Sequence, residues 1–112
     1  MKKFIVLYSA PVEMQKQMMS GSPEEMKAIM DKWMAWYNAH KDAVVEFGTP
    51  LGNATNVTKE GSTKNETWTS GYSIMQGESM EELVEALKDH PHLDFPQCAI
   101  QVYEAMPTPG MG

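Results

Sequence analysis

Cysteine is almost missing from this chain: Cys98 is the only one in 112 residues. A lone thiol excludes a disulfide framework and a thiolate metal cluster, and it fits a reducing, cytoplasmic setting. Positive charge is scarce too, with nine basic residues against fifteen acidic ones and a net charge of −6. A nucleic-acid partner is therefore not expected, because binding to a phosphate backbone draws on a clustered basic surface. Membrane association is not expected either. The apolar opening Phe4-Ile5-Val6-Leu7-Tyr8 ends within one strand's length and lacks a cleavage-type ending, so it reads as a strand rather than a leader. Neither Gly-x-Gly-x-x-Gly nor the P-loop pattern occurs, so no cofactor is expected. The Gly-x-Ser-x-Gly elbow is absent and Cys98 has no histidine beside it, which leaves nucleophilic catalysis little support.

What the chain does have is eleven Met and three Trp, the composition of a core or pocket built from large, adaptable side chains. Its length suits one domain and one site. Phe4 to Tyr8 is apolar on both faces, as in a strand buried on both sides. Met14, Met18 and Met19 stand at near-helical spacing and suggest a short helical turn or a flap. Ser22-Pro23-Glu24-Glu25 is a capping box with proline at the first helical position. It opens a helix whose stripe is Met26, Ile29, Met30, Trp33, Tyr37 and His40, with Trp36 at the margin, facing a ligand, a loop or a partner. Ala43 to Gly48 reads as a strand, Asn56 to Thr58 as a short extension, and Lys59 to Glu66 as an exposed hairpin loop prone to disorder. Gly71 to Met75 is the next strand. Ser79 caps a second helix with Met80, Leu83, Val84 and Leu87 inward, His90-Pro91 ends it, and Ala99 to Tyr103 is the last strand. The result is one domain over residues 1–105 with a disordered tail at 106–112.

This β-α-β-β-α-β order is the ferredoxin-like arrangement: an α+β fold whose antiparallel sheet carries both helices on one face. The second sheet face, also apolar, needs cover, and a homodimer through that face of the dimeric α+β barrel type is the expected solution.

Several segments carry a family resemblance. They are Phe4-Ile5-Val6-Leu7-Tyr8, Met18-Met19-Ser20-Gly21-Ser22-Pro23-Glu24-Glu25, Trp33-Met34-Ala35-Trp36, Gly48-Thr49-Pro50-Leu51-Gly52, Ser70-Gly71-Tyr72-Ser73-Ile74, Ser79 and Pro91-His92-Leu93. In this order the chain resembles the YCII-related proteins, including their DGPF-domain branch. The resemblance implies a ferredoxin-like α+β dimer and, from a few members, small-molecule enzymes using a His and an Asp. Two features depart from it. The Asp-Gly-Pro-Phe tetrapeptide is absent, and the His/Asp pair falls on Asp31 and His40 with the residue types exchanged. Those two lie on opposite faces of a straight helix, so the pair does not carry over.

The candidate site follows from both readings. His92 matches the family's Pro-His-Leu in a non-helical segment and is the candidate catalytic acid–base of a lyase, isomerase or hydrolase step. Against this stands a histidine that fixes the turn through backbone carbonyls. Tyr8, Trp36, His40 and Tyr72 are the candidate ligand-binding residues around a small apolar or aromatic molecule, with Trp33 and Tyr37 beside them. Asp89-His90-Pro91-His92-Leu93-Asp94 has metal-ligand chemistry but too few convergent partners, so no metal is expected. The alternative function is a non-enzymatic regulatory or scaffolding dimer module.

Overall fold

Alternating apolar residues make β1 (Lys2–Ser9) an inner strand of a four-stranded antiparallel sheet in the computed structural model, which describes residues 1–110. The sheet order is β2-β5-β1-β6, with β2 at Val44–Glu46, β5 at Thr69–Gly77 and β6 at Ala99–Glu104. Two helices precede β2: α1 (Val12–Met19) and α2 (Pro23–Ala39). The third, α3 (Met80–Leu87), follows β5, and Pro91–Asp94 forms one 3-10 turn before β6. Without the inserted hairpin β3 (Thr55–Thr58) and β4 (Gly61–Lys64), this is the expected ferredoxin-like α+β fold. Both serine N-caps form: the Ser22 hydroxyl accepts from the Glu25 amide at 3.2 Å, and the Ser79 hydroxyl accepts from the Glu82 amide at 3.2 Å, while the Glu82 carboxylate reaches the Glu78 amide instead of closing the box.

The two sheet faces differ sharply. Phe4, Val6 and Tyr8 of β1 stand opposite Met75, Ser73 and Gly71 of β5, and all six are buried under α2 and α3. Ile5, Leu7, Tyr72, Ile74 and Tyr103 point the other way and remain half-exposed or exposed. The molecule is consequently thin, 48 × 45 × 20 Å. Its radius of gyration, 15.7 Å, exceeds the roughly 13 Å of a compact domain this long.

Three expectations need correction. The stretch at 59–66 is not a loop, because Gly61–Lys64 pairs in full antiparallel register with Thr55–Thr58; threonine-rich segments suit extended pairing. The stripe of α2 holds at Ile29, Trp33, Tyr37 and His40 but not at its N-terminal end. Met26 and Met30 are exposed, whereas Trp36 is the buried residue of that helix and donates its indole N–H to the Ala86 carbonyl at 3.1 Å. Val84 of α3 is likewise exposed while Leu83 and Leu87 are buried. The expected tail begins at Met106; Met111 and Gly112 lie outside the described residues.

Candidate functional site

Small residues on β5 make room for a cluster of large ones. Gly71, Ser73, Met75 and Gly77 alternate with Tyr72, Ile74 and Gln76, and the former set, small everywhere but at Met75, faces the helices. Above it Tyr8 meets Trp33 edge-on at 5.0 Å, and the imidazoles of His90 and His92 complete the layer. The Ser73 hydroxyl donates to the Phe47 carbonyl, which spends its one hydrogen, so the Tyr8 hydroxyl donates to Ser73 at 2.8 Å. Gly48 holds Phe47 in place at φ +83°, where any Cβ would collide with the Tyr72 carbonyl. Burial pushes the Tyr8 phenol up, with the Ser73 bond partly opposing it.

Both histidines of the turn are sealed, each 1% exposed. The His92 amide donates to His90 Nδ1 at 3.0 Å, and His92 Nε2 lies 2.9 Å from the Ser9 carbonyl. These partners assign the tautomers: His90 carries its proton on Nε2, and His92 donates from Nε2. Burial drives His90 down to about 3, helped by the neighbouring His92 and opposed by Asp89. His92 is also lowered by burial, against the pull of the Ser9 and Ala99 carbonyls. Both are neutral imidazoles near pH 7. His90 Nε2 has no hydrogen-bond partner; its ring stands perpendicular to Trp33 at 4.4 Å and tilted against Trp36 at 4.5 Å.

His40, at the C-terminal cap of α2, occupies a different environment. Its ring packs on Trp36 at 4.9 Å and its side chain is 24% exposed. Nε2 lies 3.5 Å from Asp89 Oδ1, too misaligned for a hydrogen bond, so this buried nitrogen is unpartnered. Two open clefts flank the pair. One of about 450 Å3 is lined by Asn38, His40, Asp42, Gln76, Glu82 and Leu83 among others. The second, about 350 Å3, has Trp36, Ala35 and Pro91 for walls and Lys32, Asp89 and Asp94 at its rim.

Of the expected site residues, the structure therefore brings Tyr8, Trp36, His40 and His92 onto one side of the sheet. Tyr72 does not join them. Strand alternation turns it to the open face, where burial and the Glu46 carboxylate raise its phenol. Between Trp33 of α2 and the sheet the space is filled by Tyr8, His90 and His92. His92 is closed to solvent and bonded to backbone; the histidine that meets an open cleft is His40. Asp89, which sequence reasoning considered only for metal, is its neighbour. No local signal marks that pairing: His40 caps α2, and Asp89 lies two residues past the end of α3. Among the described residues no group of three His, Cys, Asp or Glu side chains could hold a metal ion, and no helix is long and apolar enough to cross a membrane.

No family model and no curated protein matches the chain. Among solved structures it is similar to 5-chloro-2-hydroxyhydroquinone dehydrochlorinase from Burkholderia phenoliruptrix AC1100, determined in complex with 2,5-dihydroxybenzoquinone. The match has a TM-score of 0.51 and 16% identity, and it covers 88% of this chain and 90% of that one. At that identity the likeness establishes the α+β fold.

Proposed function

We propose that the protein is a homodimeric member of the YCII-related group that binds a small hydroxylated aromatic or quinone-like molecule in the clefts beside His40, with His40 as the proton-handling group. The observation that carries the reading is His40 itself, which lines an open cleft while its buried Nε2 stays unpartnered 3.5 Å from Asp89 Oδ1. An imidazole beside a carboxylate can take a proton from a ligand hydroxyl while the carboxylate stabilises the charge formed. The cleft that His40 lines offers the polar side chains Asn38, Asp42 and Gln76 to ligand hydroxyls, and the neighbouring cleft offers the aromatic wall of Trp36. The fold shared with an enzyme solved around a dihydroxybenzoquinone supports this choice of ligand class. His92 and Tyr8 act at one remove in this reading, holding the aromatic layer on which Trp36 and His40 rest. Homodimerisation through the open sheet face follows from the half-exposed apolar set Ile5, Leu7, Tyr72, Ile74 and Tyr103.

The test is calorimetric titration with 2,5-dihydroxybenzoquinone as probe. Wild type binds it, and His40→Gln loses at least about tenfold in affinity, as removal of one charge-assisted hydrogen bond of about 1.4 kcal/mol would give. Equal affinity in both, or no binding by wild type, would contradict the reading. The second reading, a non-enzymatic dimer module, is favoured by one specific observation: His90 and His92 are both committed to backbone contacts and closed to ligands.

A further inference from the structure

The segment between β2 and β5 projects from the body as an arm. It begins where Pro50 bridges Gly71, so it prolongs the β2–β5 pair. Its root is fastened at several points: Leu51 N–H donates to the Ser70 carbonyl at 3.0 Å, Ala10 N–H to Trp68 at 2.8 Å, and the Gln15 amide to Thr67 at 2.9 Å. Beyond the root, β3 and β4 pair only with each other, and all eight of their residues are exposed. A two-stranded ribbon is marginal in water on its own. This one also displays apolar side chains: Leu51 is 40% exposed, Trp68 51% and Val57 75%.

We propose that this arm is a dimer clasp that seats Trp68, Leu51 and Val57 on a second copy of the chain. The inference rests on the homodimer reading above and extends it. Area favours a second copy as the occupant. Four strands at about 4.8 Å spacing, with at most about 30 Å of strand length, give an open face of no more than about 600 Å2, whereas a stable interface takes about 800 Å2 from each partner. The arm continues from the same two strands and supplies the shortfall along one continuous surface. A two-fold axis through the open face gives each protomer the same clasp on its partner. Charge agrees, because Lys59 and Lys64 balance Glu60 and Glu66 over residues 51–68. The clasp can thus approach a chain of net charge −6 without repulsion. Its fastened root sets the arm's direction before association, which lowers the entropic cost of binding.

The experiment combines sedimentation with 19F NMR of protein labelled with 5-fluorotryptophan, the Trp68 resonance being identified by its loss in Trp68→Phe. Wild type should sediment as a dimer at high concentration. On dilution to monomer the Trp68 resonance should move while that of buried Trp36 stays, and Trp68→Ala should weaken dimerisation at least tenfold. Replacing residues 55–64 by two glycines should weaken it similarly; because Trp68 is exposed at the root, its substitution decides the matter even if the shortened chain fails to fold. A dimer whose Trp68 resonance is indifferent to dilution, with unchanged affinity in Trp68→Ala, would overturn the clasp and leave the homodimer standing. A monomer at every concentration would overturn both.

Discussion

Three histidines with the same chemistry meet two fates. His90 and His92 lie within the aromatic layer of Tyr8, Trp33 and Trp36, neutral and held by backbone, whereas His40 sits on the outer side of Trp36 beside Asp89 and an open cleft. The inner pair shapes the platform, and in the proposed function the outer one handles the proton. A histidine's usefulness therefore depends on which atoms remain unclaimed once the fold is satisfied, rather than on the motif that contains it.

The comparison can be broken first at the wall between the two regions. Trp36→Ala removes a buried indole and its bond to Ala86, and should destabilise the fold by about 3–5 kcal/mol, measurable by urea denaturation; a cost below about 1 kcal/mol would mean that the wall is not packed as described. Next comes His92→Ala. Losing a buried ring and its contact with Ser9 should cost about 2–4 kcal/mol, while the folded fraction keeps wild-type ligand affinity.

Acid should then separate the regions. The His90 value in the folded state, about 3, lies below its ordinary 6.5, so the unfolded chain binds more protons between those values. Its contribution to stability is complete above pH 6.5 and falls by up to about 1.4 kcal/mol per pH unit as the pH drops toward 3. His92 is lowered in the same sense. Denaturation midpoints followed from pH 7 to 4 should show this loss, and His90→Phe should flatten it; an equally steep loss in His90→Phe would place the acid sensitivity elsewhere. The smallest effect on stability belongs to His40→Gln, expected to change it by less than about 1 kcal/mol because the residue is half-exposed and makes no hydrogen bond through its side chain. Its effect should appear in ligand affinity instead.

The architecture was readable because local signals agreed with one another. Two serine N-caps, the His90-Pro91 stop and four apolar strands all point to the same order of elements, and the structure contains each. The site was less readable because strand alternation does not say which face is covered. In β5 both alternating sets carry apolar residues, and Gly71, Ser73, Met75 and Gly77 are inside rather than Tyr72 and Ile74 because Tyr8 and the helix side chains above need the room left by the small residues. Helical periodicity failed in a similar way at α2. Its N-terminal half makes little use of the sheet, so Met26 and Met30 are exposed, and the helix is buried where Trp36 reaches α3. The Pro-His-Leu segment was located correctly but could not reveal that Ser9, brought in from β1, would claim the His92 ring. The His40–Asp89 proximity joins residues forty-nine positions apart and leaves no local trace.

The most direct test follows the three imidazoles by NMR in 15N-histidine-labelled protein during titration with the probe quinone. The account predicts that the His40 resonances shift in a saturable way while those of His90 and His92 stay within the spread of other buried groups. Saturable shifts at His92 with His40 unmoved would contradict it, returning the site to the interior of the aromatic layer.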